Sequence, residues 1–289
     1  MSKVMITGAT GLLGRALCQE LSSTHEILGC GFSRAAAPLH KLDLADHNSV
    51  LDFLDNHNPE VLIHAAAERR PEQCERDQAA TLALNVAATE FLAQACRERD
   101  IRFFFISTDY VFDGTSAPYV ETDITNPVNF YGQTKRAAER AILADSALHT
   151  IVRVPVLYGE VKTLEESAVT VIAKQLLANP ASSHDHWAIR YPTHVNDIAL
   201  TLKDVIAQPS LSGIIHISGN QALTKYEMAL VMSQALQLPT QDLVPLSQPS
   251  DDATRPQNCA LKDTRLINMG IAHQRDFATA VSEVLTKHR

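Results

Sequence analysis

Lys3-Val4-Met5-Ile6-Thr7-Gly8-Ala9-Thr10-Gly11-Leu12-Leu13-Gly14 is the stretch on which the fold turns. Its first five residues are an apolar run of buried-strand length. Three glycines at three-residue spacing follow, and a helical apolar pattern then continues to about Leu21. Strand, glycine-rich turn and helix in direct succession predict a dinucleotide site. Gly8 and Gly11 let the backbone turn tightly and approach a pyrophosphate, whose charge sits at the helix N-terminus. Gly14 allows the helix to pack closely on the strand. The spacing is G-x-x-G-x-x-G rather than G-x-G-x-x-G. A plain tight turn also uses glycine, though hardly three at this spacing between a strand and a helix.

Outward from that turn, Glu26 to Phe32 reads as a second strand ending in Gly31-Phe32-Ser33-Arg34. An NAD site would place Asp or Glu there to hold the ribose 2′-hydroxyl. Here a hydroxyl and a guanidinium stand instead, so Ser33 and Arg34 point to a 2′-phosphate and hence to NADP; the alternative for Arg34 is a solvated loop charge. Lys41 to Asp46 reads as a short third strand and a helix cap, with Asp43 either accepting from an adenine amino group or capping. A helix over about 47–57 leads to Glu60–Ala67, a strand whose end, Ala65-Ala66-Ala67, leaves room for a cofactor. Arg69 or Arg70, just beyond, faces phosphates or a substrate, or is solvated. A long helix is expected over 73–99, with Asn85 inside it, either as a polar residue on the helix face or as an amide contacting backbone or water beneath the site. Ile101 to Ile106 is a further strand delivering Ser107-Thr108-Asp109 to the sheet edge where doubly wound folds bind ligands.

Residues 107–135 hold the candidate chemistry. Tyr131 and Lys135 are four apart, so on a helix from about Asn129 they share a face. A lysine ammonium favours the phenolate and lowers the tyrosine pKa, and a tuned phenol with Thr108 as hydroxyl partner can pass a proton to or from a carbonyl oxygen. Carbonyl reduction or alcohol oxidation is the expected reaction. A surface helix with a half-buried Tyr and a solvated Lys is the bland alternative, since Y-x-x-x-K alone is a weak signal.

The composition bounds the rest. A chain of 289 residues, 45% hydrophobic and 20% charged, suits one large globular domain or two modest ones. Lys+Arg 25 against Asp+Glu 33 gives net −8, which argues against nucleic-acid binding. The N-terminus lacks a signal-peptide layout and no apolar run approaches a membrane span, so no membrane association is expected. Five scattered cysteines form no C-x-x-C pair and fit a reducing cytoplasm. His184 and His186 alternate around Asp185, but no third ligand is evident and no metal is expected. Strands and helices alternate through the strand at 150–159, predicting an α/β fold with a doubly wound parallel sheet. Beyond 158 the pattern changes. Helices are expected over 163–178, 195–207, 224–237 and 276–287, with a strand at 214–219 and an irregular region over 239–258. The expected division is a Rossmann-type domain of 1–157 plus about 194–218, and a smaller, C-terminal-rich substrate domain of about 158–193 plus 219–289.

The glycine turn, Asn85, Ser107-Thr108-Asp109-Tyr110-Val111-Phe112-Asp113-Gly114 and Tyr131-Gly132-Gln133-Thr134-Lys135 together resemble an extended short-chain dehydrogenase/reductase. The Ser107–Gly114 run, Pro192-Thr193, Asp197 and Arg255-Pro256-Gln257-Asn258 resemble the dTDP-4-dehydrorhamnose reductase family. Cys30-Gly31-Phe32, Ala66 to Pro71, Tyr158 to Val161 and Leu164 to Val171 are similar to its branch containing the regulatory β subunit of methionine adenosyltransferase. The resemblance implies that Tyr131 is the general acid, Lys135 binds the nicotinamide ribose and lowers the Tyr131 pKa, Thr108 hydrogen-bonds the ketone, and Asn85 holds a water in the proton relay. It implies that Thr10, Gly11, Leu12, Leu13, Phe32, Ser33, Arg34, Asp43, Leu44, Ala65, Arg69 and Leu157 line NADP(H). The expected substrate is a small keto compound, with a dTDP-sugar as the leading candidate. The other expectation is a regulatory role beside an S-adenosylmethionine synthetase catalytic subunit.

Overall fold

Apolar residues on both sides of each strand need cover on both faces, which is why the strands of the first half carry no polar alternation. In the computed structural model, which describes residues 1–249 and 254–288, β1 (Lys3–Thr7), β2 (Glu26–Gly31), β3 (His40–Lys41), β4 (Val61–His64), β5 (Arg102–Thr108), β6 (Thr150–Val154) and β10 (Gly213–His216) form one parallel sheet in the order β10-β6-β5-β4-β1-β2-β3. Val4, Ile6, Phe104 and Ile106 face one core with Leu17 and Leu21 of α1 (Leu12–Leu21) and Ile198 and Leu202 of α8 (Val195–Ile206). Met5, Leu62, Phe103 and Phe105 face the other, against α2 (His47–His57), α5 (Ala88–Arg97) and α6 (Phe130–Asp145). The fold is the expected doubly wound α/β sheet. Strand order reverses between β1 and β4, so their C-terminal ends open a crevice. His64 ties them there: its Nδ1 is 2.7 Å from Thr7 Oγ1, and its Nε2 is 3.0 Å from Thr89 Oγ1. Burial, with Lys135 nearby, pulls the His64 pKa down to about 3, so this bridge is neutral.

A second core forms where the alternation ends. Tyr158 of β7 (Leu157–Tyr158), Ile172 and Leu176 of α7 (Thr170–Ala178), Met228 and Met232 of α9 (Lys225–Ala235), and Phe277, Val281 and Leu285 of α10 (Phe277–Thr286) pack together. α9 starts on a capping box, Thr224 with Glu227.

Three local expectations are corrected. The helix over 73–99 is four pieces: α3 (Pro71–Arg76), α4 (Gln78–Leu82), a π turn (Ala83–Ala87) and α5. Asp77 leaves helical geometry and its side chain accepts from Ala80 N–H, so one helix ends and another begins on the same residue. The stretch Gln78–Arg97 is long and apolar enough to cross a bilayer, but Ala88, Leu92, Ala95 and Cys96 on its inner face belong to the sheet core. The helix expected over 163–178 starts only at Thr170, because Ser167 is extended and its hydroxyl donates to Leu157 C=O. The short third strand and the helix cap expected over Lys41–Asp46 are both present: β3 has two residues, and the Asp46 carboxylate accepts from Ser49 N–H at the start of α2. The region 239–258 includes β11 (Val244–Leu246), paired in parallel with β8 (Ser183–Asp185); its residues 250–253 lie outside the described ones. His184 and His186 bond Ser182 and Thr224 hydroxyls at 2.8 and 2.9 Å.

Candidate active site

The C-terminal ends of the central strands border a cleft of ≈ 700 Å³. Every residue predicted for the cofactor lines it, and so do Thr108, Tyr131 and Lys135; Asn85 does not. The glycine turn forms the floor. Gly8 has φ +70°, and a Cβ there would lie 2.9 Å from the Ala65 carbonyl oxygen. A Cβ on Gly14 would stand 2.2 Å from Gly8 O. Both positions therefore require bare backbone. Gly11 caps α1 without any side-chain bond, so no side chain occupies the place of an anion at this helix N-terminus. Exposed Phe32, Ser33 and Arg34 follow β2 at the rim, where the floor geometry would present an adenosine end. The residues present fit a dinucleotide.

Asp43 lines the cleft while one carboxylate oxygen accepts from Ala45 N–H at 3.0 Å, so it caps a turn and keeps its other oxygen. Arg69 and Arg70 part company. Arg70 folds back on Glu68 at 2.8 Å, and Arg69 donates to the Glu166 carbonyl at 2.5 Å. Glu166 was not foreseen. Its carboxylate takes both terminal nitrogens of Arg15, at 2.6 and 2.8 Å, and Arg15 also donates to Thr10 C=O. The loop around 160–168 is thus strapped across the glycine turn. No local pattern announces a bond between residues 151 apart.

α6 begins at Asn129, whose side chain accepts from Gly132 N–H at 2.9 Å, and this aims Tyr131 and Lys135 at the strand ends. Lys135 is only 2% exposed; its Nζ donates to Ile106 C=O at 2.6 Å and lies 3.9 Å above the Phe105 ring. Burial pulls its pKa down to about 7, with Glu139 pushing the other way. The expected lowering of the Tyr131 pKa does not occur in this environment. Enclosure pushes the phenol up and outweighs the opposing hydrogen bond from Thr108. Asn85 contacts backbone beneath the site, one of the readings expected of its amide. Its Oδ1 accepts from Glu68 N–H at 2.9 Å, and its Nδ2 donates to Glu68 C=O at 2.9 Å and to Thr134 Oγ1 at 3.3 Å. Both amide hydrogens are committed, and Asn85 fastens the 68–70 loop.

Charged residues of both signs also line the cleft, Glu72 and Asp185 among them. Arg190, Lys225 and Arg255 line it. Arg190 is 6% exposed, sits 5.6 Å from the Tyr110 ring centroid, and donates through Nη1 to Pro256 C=O, while its Nη2 has no hydrogen-bond partner among the described residues. Lys225 is held below the usual lysine range by burial and by Arg255. Arg255 is paired with Glu72. Sequence reading missed Arg190 and Lys225 because single cations between apolar residues carry no spacing signal. Asp109 stood inside a recognised run without a role; it is 4% exposed and accepts from the Thr108 hydroxyl at 3.1 Å.

Residues 2–289 match the family model described as the RmlD substrate binding domain. The chain is 42% identical to methionine adenosyltransferase 2 subunit beta of Bos taurus over 290 residues, covering 98% of this chain and 87% of that protein. It is 32% identical to the dTDP-4-keto-6-deoxy-D-glucose reductase of Streptomyces niveus over 287 residues, covering 96% and 95%. Among solved structures, a dTDP-4-dehydrorhamnose reductase from Clostridium acetobutylicum superposes with a TM-score of 0.88 at 25% identity, covering 99% of each chain.

Proposed function

Because the chain belongs to the RmlD substrate-binding-domain family, within the short-chain dehydrogenases/reductases, we propose that it is an NADP(H)-dependent reductase of a keto group, with a dTDP-4-keto-sugar as the leading substrate class. The observation that carries this is the meeting of Thr108, Tyr131 and Lys135, from a strand end and a separate helix, in the same cleft as the bare glycine turn. The glycine turn, Arg34 and Ser33 would hold NADP(H), which supplies the hydride when bound. Tyr131 protonates the ketone oxygen, Thr108 orients that oxygen, and Lys135 holds a ribose. Arg190 and Lys225, which line the cleft, suit an anionic group on the substrate. We assign residues 158–193 and 219–289, which contribute the second core, to a substrate-binding lobe. The test is NADPH consumption with a dTDP-4-keto-sugar and with simple ketones. Tyr131→Phe is expected to abolish turnover while NADPH still binds; full activity in that variant sinks the mechanism.

A second reading is favoured by the 42% identity to a methionine adenosyltransferase β subunit, against 32% to a sugar-nucleotide reductase. In it the protein is an NADP(H)-binding partner of an S-adenosylmethionine synthetase catalytic subunit. Co-purification with the host synthetase, with and without NADPH, is the test. A complex without ketone turnover selects this reading, and turnover without a complex selects the first.

A further inference from the structure

Two buried guanidinium nitrogens have no hydrogen-bond partner among the described residues. Arg190 Nη2, just before β9 (Thr193–His194), belongs to the cleft already described. Arg136 Nε does not. Arg136 lines a second cavity of ≈ 670 Å³ that shares no lining residue with the cleft. A buried N–H without an acceptor is costly, and native proteins rarely leave one with nothing to donate to.

The sequence of α6 builds one wall of this cavity. Arg136, Arg140 and Leu143 follow at spacings of four and three, so they form one stripe along the helix. β10, the edge strand of the sheet, contributes Ile214, and Arg153 comes from its neighbour β6. The 121–125 loop and Arg265 complete the lining.

The charges around the cavity are unevenly matched. Arg153 is paired: its Nε and Nη2 donate to the two oxygens of Glu139 at 3.0 and 2.7 Å, and both side chains are buried. Arg265 donates through Nη1 to the carbonyls of Ser212 and Ile214, which carry no charge. Arg136 and Arg140 form no ion pair among the described residues. The other carboxylates on the lining are Glu121 and Asp123. Both oxygens of Glu121 accept from Thr264, at 3.0 and 2.6 Å, and Asp123 accepts from Val120 N–H at 2.7 Å. Arg136, Arg140 and Arg265 thus border one cavity without a carboxylate on any of them. Beside these cations the lining is apolar and open to solvent: Ile124 is 90% exposed and Leu143 43%.

We propose that this cavity binds a phosphorylated small molecule, its phosphate held by Arg136 and Arg140 and its apolar part laid against Ile124 and Leu143. Guanidinium forks match the oxygens of a phosphate, and its double charge answers more than one unpaired arginine. The volume is that of a small-molecule site. The site stands apart from the cleft and holds under either function proposed for it.

Phenyl phosphate is the probe, titrated into protein carrying isotopically labelled arginine, with the cleft filled by NADPH. The Arg136 Nε–H resonance, identified by its loss in Arg136→Lys, should shift on saturation. Calorimetry should show Arg136→Lys and Arg140→Gln each weakening phenyl phosphate binding roughly tenfold or more, with NADPH affinity unchanged in both. Arg140 is exposed, so Arg140→Gln carries the test if Arg136→Lys does not fold. Inorganic phosphate should bind less tightly than phenyl phosphate because it leaves Ile124 and Leu143 uncovered. Benzoate should bind less tightly because it brings a single charge. Benzoate matching phenyl phosphate overturns the choice of phosphate, and inorganic phosphate matching it overturns the apolar half of the site. Absence of binding, or binding that both variants keep, overturns the site itself.

Discussion

Lys135 shows how burial can reverse a simple expectation. On sequence grounds its charge should stabilise a neighbouring phenolate, yet enclosure weakens the charge itself. The sign of the linkage follows from the pKa shift. Below pH about 7 the ammonium is charged in both folded and unfolded chains, and its full burial cost is present. Between about 7 and the ordinary value of 10.5 the unfolded chain holds the proton and the folded one does not, so stability rises with pH. Lys135→Met is therefore expected to exceed wild type in stability at pH about 6 by on the order of a few kcal/mol, an advantage that shrinks toward pH about 10. Urea unfolding at the two pH values measures it; a constant difference would refute the burial account. Arg34, at the rim of the cleft, is the residue we propose for the cofactor preference. Arg34→Ala should weaken NADPH binding roughly ten- to a hundred-fold, the loss of ~1.5–3 kcal/mol for a charged hydrogen bond. NADH binding should hardly change, and fluorescence titration with both cofactors is the check.

At the level of elements, the π turn Ala83–Ala87 and the 68–70 loop are one device. The extra residue in the turn interrupts the regular α-helical repeat at Asn85, and its amide then closes both hydrogen bonds to the Glu68 backbone. Asn85→Ala leaves the part-buried Glu68 N–H without its partner and should cost roughly 1–3 kcal/mol. Because Arg69 follows directly, NADPH release should quicken as well, which stopped-flow displacement reads. Wild-type release from a destabilised variant would separate the loop from the site. The 160–168 loop works through long-range pairs instead, with Glu166 bridging Arg15 and Arg69.

Across the whole molecule, two sheet-flanking cores and a third core share one cleft. Phe277, 2% exposed in the third core, is far along the chain from the glycine turn. Phe277→Ala should cost ~3–5 kcal/mol and impair substrate use more than NADPH affinity. Equal losses of both would show that the two ends of the cleft are not separable. How much of this was legible in sequence follows from range. The strand–glycine–helix stretch, the run from Ser107 to Gly114 and the Tyr131/Lys135 spacing each express a constraint contained in a few neighbouring residues: buried strands need apolar runs, a phosphate cradle needs absent Cβ atoms, and two side chains share a helix face at four-residue spacing. The sequence by itself therefore determined the sheet, the cleft floor and the placing of Tyr131 and Lys135 on one helix face. It did not determine how those groups are charged, what Asn85 bonds, or that Glu166, Arg190 and Lys225 join the cleft. Those outcomes depend on desolvation and on hydrogen bonds between residues distant along the chain, and only the packed tertiary structure sets either of them.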